Sequence, residues 1–517
     1  SYPGAQSFIS GLSPANYFIW DGIRAVDYLY TRPEIDPTRI GIGGRSGGGT
    51  QAAYIAAMDE RILAAAPECY ITTFEKQIKS KGPQDAEQNM MYGLENKIDM
   101  TDYIVARAPK PTLLVTTTND IFSIQGARDA FQEAKQCYST YGKTDQLLMV
   151  EDDAVHVSTQ KNRMASYAFF QKYLNNPGSA DDLDVTLFDE QELFIFPDGQ
   201  MPADKETLFT LTQKRTQSIV AAKNEHRKQN PAYDTLLRTK VKTVIGYEQP
   251  KVNRDIIFSG RLHRKTYAIE KYLVKAHGDY HVPVLWMKPK NPSKKRILLL
   301  DDRGKTIAAH EGELADQLVL EGHEVILADL SGFGELSNGY LNGGDAVIDQ
   351  VPLNLWFTGI LTHQSLVAVR AEEIFMLTDF INVNDPVSKP ITAIAQGTIT
   401  SDLLHAAVLQ DAAFHQVILH NPLISYASII EEKNYKTKFI LSSVAASLPE
   451  YDLPDLAALY TGKLLILNPV NALDIPVNLP NAQQVYAKSL DHKTASTKFQ
   501  LEVNEKKSSS MLIKWLK

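Results

Sequence analysis

Cysteine is nearly absent from this chain: its 517 residues hold two, Cys69 and Cys137. Two thiols cannot build a disulfide scaffold, and their spacing matches no zinc motif. No uninterrupted apolar run reaches the ~18 residues of a membrane-spanning helix, so no membrane span is expected. A basic excess is missing too. The 53 Lys and Arg stand against 61 Asp and Glu, for a net charge of −8, which argues against the basic surface of a nucleic-acid binder. Gly (29) and Pro (25) occur at near-average frequency, so no collagen-like or low-complexity region dominates. Residue 1 is Ser1, and no charged stretch followed by an apolar run stands behind it, so either a targeting segment has been removed or the chain is cut further in. What is present is globular: 44% apolar and 22% charged residues. The length is about three times the ~150 residues of an average domain, which predicts two large or three modest domains.

Strand and helix signals alternate over the first part of the chain. Ala15 to Leu29 has mostly helical apolar spacing, and 32–37 (RPEIDP) breaks it because Pro disfavours helix in the residue before it. Arg39–Gly43 reads as a short buried strand entering a glycine-dense turn, followed by a small-residue helix from Thr50 to Met58. Further strands are expected at 62–66, 112–116 and 146–150, and a closing helix at 165–174. Such alternation predicts a parallel α/β sheet. A turn cluster at 175–178 and a charged helix over 204–229 mark a structured connector. Alternation resumes near Ile256. The domains are therefore expected at 1–175, 176–255 (connector) and 256–517.

The residues that carry chemistry begin at Gly44-Arg45-Ser46-Gly47-Gly48, a G-x-S-x-G sequence between a strand and a helix. In that context it is a nucleophile elbow, a sharp turn that projects the serine hydroxyl above the sheet. Gly44 and Gly48 meet the steric demand of the turn, and the N–H of Gly47 is the expected oxyanion-hole donor. A phosphate-binding loop is the rival reading, but the lysine of G-x-x-x-x-G-K-[ST] is missing. A serine needs a base, and the base an orienting carboxylate. His156 is the single histidine among the first 225 residues and follows the strand at 146–150; Asp120 follows the strand at 112–116. The order Ser46, Asp120, His156, each beyond a strand, is that of the α/β-hydrolases. Asp152 and Asp153 are rival acids, expected instead to form the loop around His156. No cofactor and no metal are required by this set.

The segment Trp20–Leu29 (WDGIRAVDYL), the elbow, Met58–Ile62 (MDERI), 82–89 (GPQDAEQN) and 107–112 (RAPKPT) together resemble bacterial acetyl xylan esterase-like α/β-hydrolases. The resemblance covers about residues 10–175 well and the rest loosely. It implies a periplasmic or secreted serine carbohydrate esterase acting on a polysaccharide or oligosaccharide ester such as xylan. Position 45, often Cys in such relatives, is Arg45 here. That removes a partner for Cys69 and sets a cation beside the serine, which would suit an acidic sugar. A glucuronoyl-type esterase and a serine peptidase are therefore alternatives, and a polysaccharide-binding pseudoenzyme is one of another class.

Ile391–Ile399 (ITAIAQGTI) repeats the strand-and-turn profile of Ile40–Gly48, with Gly397 in the place of Ser46. The same offset of 351 residues carries Asp120 to Asn471 and His156 to Lys507, so the second copy is expected to be catalytically inert. The expected architecture is α/β, two tandem α/β-hydrolase domains of three αβα layers on mostly parallel sheets. The first is truncated at its N-terminus, its opening strands and second oxyanion donor expected before Ser1 or on a separate piece. An N-terminal segment of the same gene product is thus an expected partner. His277 and His281, an i, i+4 pair, and the G-x-G at 332–334 read as turns rather than as metal or dinucleotide sites.

Overall fold

The computed structural model describes residues 2–196, 198–230, 232–252, 255–291, 295–337, 346–384, 390–410, 412–490, 499–503, 512–513 and 515–516. The chain forms two compact units. Ser13–Leu211 makes up most of the first; the second takes residues up to Leu12 and from Thr212 onward, apart from 340–346.

Four strands make the sheet of the first unit: β1 (Gly41–Arg45), β2 (Ala64–Glu68), β3 (Thr112–Asn119) and β4 (Leu147–Val155). They lie in chain order and are all parallel, as expected when a helix returns the chain between successive strands. Side chains alternate between the faces of a strand, and β2 shows the consequence. Ala65 joins Val26, Ile40, Ile55 and Ile62 in one core; Ala64 and Ala66 join Leu113, Val115 and Phe169 in another. Apolar layers on both faces make this an αβα sandwich.

The second unit holds a nine-stranded sheet built from β5 (Ile256–His263), β6 (Tyr267–Lys275), β7 (His281–Pro289), β8 (Arg296–Asp301), β9 (Glu324–Ala328), β12 (Ile391–Gln396), β13 (Gln416–His420), β14 (Lys463–Leu467) and β15 (Phe499–Glu502). A separate two-stranded hairpin pairs β10 (Val347–Ile348) with β11 (Val351–Pro352). The large sheet runs β15-β14-β13-β12-β8-β9-β7-β6-β5. Pairings among β5, β6, β7 and β9 are antiparallel, and the remaining ones parallel. The fold class is α/β-hydrolase. β12 is hydrogen-bonded on both sides, to β8 and β13, whereas β1 has β2 as its only pairing among the described residues.

The compact units do not follow the bounds expected at 1–175, 176–255 and 256–517. The helix Tyr2–Ile9 counts with the second unit, where Phe8 and Ile9 are fully buried. Phe8 stacks edge-on to Trp356, and its carbonyl accepts the Ala446 N–H at 2.7 Å. Eight residues carry too little pattern to announce that attachment. The connector also divides. Its helices Leu208–Gln229 and Tyr233–Ile245 are part of the second unit almost throughout, where Leu237, Val241 and Ile245 are fully buried.

The charged helix Leu208–Gln229 is held by charge as well. Lys223 Nζ donates to Asp455 at 3.1 Å, Arg227 Nη1 donates to the other oxygen, and all three side chains are buried. Burial alone would raise the Asp455 pKa; the Lys223 and Arg227 charges outweigh it and hold the carboxyl below its ordinary value. A depressed pKa stabilises the fold above the unfolded-state value and loses that contribution as pH falls. Asp455→Ala leaves two cations buried without their carboxylate and is expected to cost about 3–5 kcal/mol. Urea unfolding should read this as a lower midpoint at neutral pH, with the gap to the parent closing under acid.

Candidate active site

Ser46 lies between β1 and the helix Gly47–Met58, with φ 60 and ψ −121. A non-glycine residue in this region is costly and persists only where its surroundings hold it. Two backbone bonds do so: Ser46 N–H donates to the Glu68 carbonyl at 3.0 Å, and Thr50 N–H donates to the Ser46 carbonyl at 2.8 Å. A Cβ on Gly44 would sit 2.6 Å from the Gly48 carbonyl oxygen, and one on Gly49 2.3 Å from the Glu68 oxygen. Gly48, expected to be sterically required, would direct a Cβ into open space. The tight approaches are at 44 and 49, because the helix packs its first turn against the ends of β1 and β2. Gly47 opens that helix, so its N–H is among the first-turn donors that a helix leaves without an intrahelical partner.

Asp120 follows β3 and His156 follows β4, and the structure joins them: His156 Nδ1 lies 2.7 Å from Asp120 Oδ1. The carboxylate also accepts from Phe122 N–H at 3.1 Å and from Thr117 Oγ1 at 2.9 Å. Its side chain is 2% exposed against 24% for His156. An ionised carboxylate only accepts, so Nδ1 carries the proton and Nε2 is the nitrogen left as acceptor. The loop after β4 is tied to the elbow strand by Arg45, whose Nη1 donates to the His156 carbonyl at 3.0 Å, and to the end of β2 by the Ser158 hydroxyl, which donates to Glu68 at 3.0 Å. Burial raises the pKa of Glu68.

Asp152 and Asp153 are not loop residues. β4 runs on through them to Val155, in parallel register with Thr116–Asn119. Asp153 accepts from Thr118 Oγ1 and Asn119 Nδ2, and Asp152 lies 3.8 Å from Lys161. Neither is bonded to His156 in the way Asp120 is. Three residues beside the triad were not legible as site residues in the sequence: Thr117, Phe122, whose ring lies 6.1 Å from that of His156, and Cys69, whose spacing from Cys137 matches no zinc motif. The signal for Cys69 was its place just past a strand, as for Asp120.

At the corresponding turn of the second unit, Gly397 has φ 79. The space a side chain would take is filled: a Cβ there would lie 2.1 Å from Asp302 Oδ2. Asp302, just past β8, accepts from Thr398 N–H at 2.8 Å and from Thr398 Oγ1 at 3.2 Å. A built-in carboxylate thus takes the N–H that follows the turn residue. Asn471 Oδ1 accepts the N–H groups of Leu473 and Ile475, as a turn residue does. Lys507 lies outside the described residues. His277 and His281 face separate acids, Glu372 and Asp255, and Asp329, ahead of the G-x-G, takes the Lys305 ammonium at 2.8 Å. Gly397→Ser is expected to destabilise the second unit by about 1–3 kcal/mol through positive φ and overlap with Asp302. Thermal melting should read the loss, and a fluorophosphonate probe should find no reactive serine at 397.

Residues 15–177 match the prolyl oligopeptidase family. The hydrolase-named protein YtaP of Bacillus subtilis (strain 168) is 27% identical over 174 residues, 33% of this chain. The chain spans 57% of the length of that curated relative. Among solved structures, an acetyl xylan esterase from Paenibacillus sp. R4 is similar at TM-score 0.39 and 11% identity, over 55% of this chain and 93% of its own. Acetyl Xylan Esterase 1 from Thermoanaerobacterium sp. JW/SL YS485 is similar at 0.36 and 13%, over 55% and 92%.

Proposed function

We propose that the first unit is a serine carboxylic-ester hydrolase that removes acetyl groups from xylan or a similar polysaccharide, with Ser46, His156 and Asp120 as its triad. The observation that carries this reading is the 2.7 Å Asp120–His156 pair on a loop that Arg45 ties to the serine's own strand. Ser46 Oγ attacks the ester carbon as His156 Nε2 takes its proton, and Asp120 stabilises the imidazolium so formed. The N–H of Gly47 receives the oxyanion. Collapse breaks the ester C–O bond, His156 returns its proton to the sugar oxygen, and an acetyl-serine remains. Water then attacks with His156 as base, releasing acetate. The substrate class comes from the resemblance to acetyl xylan esterases. So does the expectation of a periplasmic or secreted protein; no helix among the described residues is long and apolar enough to cross a membrane.

One observation favours a second substrate. Arg45, exposed and next to Ser46 in the chain, gives Nη1 to the His156 carbonyl, and the other N–H groups of its guanidinium would recognise a uronate. The second unit, with Asp302 filling its turn, is an inert copy.

Acetate release from acetylated xylan, run beside a glucuronoyl ester, tests the reading. Release is expected from the acetylated polymer and should stop after treatment with a fluorophosphonate that modifies Ser46 alone. Release that survives the treatment, or no release from either ester, would refute it.

A further inference from the structure

Cys69 stands immediately past β2, at the same end of the sheet as Asp120 past β3 and His156 past β4. Its backbone is left-handed, with φ 51, and its N–H donates to the Val115 carbonyl at 2.8 Å. The side chain is buried, with Sγ 3.7 Å from Thr117 Oγ1. One ligand atom each from Cys69, Asp120 and His156 lie within 4.8 Å of one another, a grouping of His, Cys, Asp or Glu found once among the described residues. A cysteine thiol carries its proton at neutral pH and gives it up to bind a metal.

A thiolate, an imidazole and a carboxylate with one position open are the donors of a three-ligand zinc site. Bonds of about 2.0–2.3 Å set tetrahedral ligand atoms roughly 3.3–3.8 Å apart, so side-chain shifts of about 1 Å suffice here. His156, at 24% against 2% for Asp120, is the more exposed of the two side chains. Soft thiolate ligation selects zinc and cadmium over magnesium or calcium.

We propose that Cys69, Asp120 and His156 form a site for a soft divalent cation, Zn²⁺ or Cd²⁺, that switches the hydrolase off; the inhibitory half rests on the triad reading above. On binding, Cys69 loses its proton to solvent and Asp120 remains a carboxylate. His156 gives Nδ1 to the metal and its proton moves to Nε2, so the ring stays neutral and one proton is released per metal. Inhibition follows from that tautomer, because a protonated Nε2 cannot accept the proton of Ser46 Oγ.

The Cys137→Ser protein keeps Cys69 as its only thiol. Cadmium should raise the ultraviolet thiolate-to-metal charge-transfer band, saturating at one equivalent with release of about one proton. His156→Gln in that background should weaken cadmium binding at least about tenfold. Zinc should inhibit ester hydrolysis, with an inhibition constant at least about tenfold higher in both Cys69→Ser and Cys69→Ala; two variants guard against one that fails to fold. No saturable band, cadmium binding unchanged by His156→Gln, or equal zinc inhibition with and without Cys69 would overturn the proposal. The band needs no substrate. A protein that hydrolyses no ester yet shows it would keep the metal site and refute the hydrolase reading alone.

Discussion

Replacing Ser46 by alanine is expected to lower kcat for ester hydrolysis by about 10⁴- to 10⁶-fold while leaving the melting temperature nearly unchanged. The two halves of that expectation have separate causes. The turn is held through the Ser46 backbone, by N–H to Glu68 and carbonyl to Thr50, and through close approaches at Gly44 and Gly49, none of which uses the hydroxyl. Alanine suffers the φ of 60 no more than serine does, so the fold has no reason to change. Chemistry loses its nucleophile, and only oxyanion binding and substrate positioning survive to accelerate attack by water. Steady-state rates on an acetyl ester, with fluorophosphonate labelling read by mass spectrometry, check both halves. A variant that retains a tenth of the parent rate, or a parent labelled elsewhere, would place the nucleophile at another residue.

Asp120→Asn should reduce kcat by about 10⁴-fold with little loss of stability. The carboxylate accepts from Thr117 Oγ1, Phe122 N–H and His156 Nδ1. An amide of the same shape has one accepting oxygen. His156 Nδ1 and the Phe122 N–H share Oδ1 while Thr117 takes Oδ2, so whichever way the amide turns it removes the charge that stabilises the imidazolium. With its NH₂ toward His156 it also drives the ring proton to Nε2, where it blocks proton transfer from Ser46. Asp152→Asn and Asp153→Asn are the controls. Their carboxylates serve Lys161, Thr118 and Asn119, so each should stay within about tenfold of the parent. A ranking in which Asp153→Asn is the most damaging would give the orienting role to Asp153.

Part of this molecule was legible in its sequence because the relevant forces are local. Gly41–Met58 announces strand, tight turn and helix through its own steric demands: five glycines among residues 43–49, then small residues that let a helix lie against β1 and β2. Asp120 and His156 could be singled out because each follows an apolar run long enough to be a strand, and strand ends on one edge of a parallel sheet converge. The offset repeat likewise exposed a second turn without a hydroxyl.

What the tertiary structure decided depends on contacts between residues far apart in the chain. β4 continues through three acidic residues because its neighbour β3 supplies hydrogen-bonding partners up to Asn119; composition alone reads such a run as solvated loop. The helix Tyr2–Ile9 belongs with the second unit because Phe8 finds Trp356, and the charged helix Leu208–Gln229 joins that unit because Asp455 is there to neutralise Lys223 and Arg227. Asp302 fills the turn at Gly397 from a strand end 95 residues upstream, and Cys69 reaches Asp120 and His156 only because three strands end side by side. Periodicity records which face a residue shows to its own element. Which partner that face meets is set by how the strands are ordered in the sheet, and that order is a property of the whole fold.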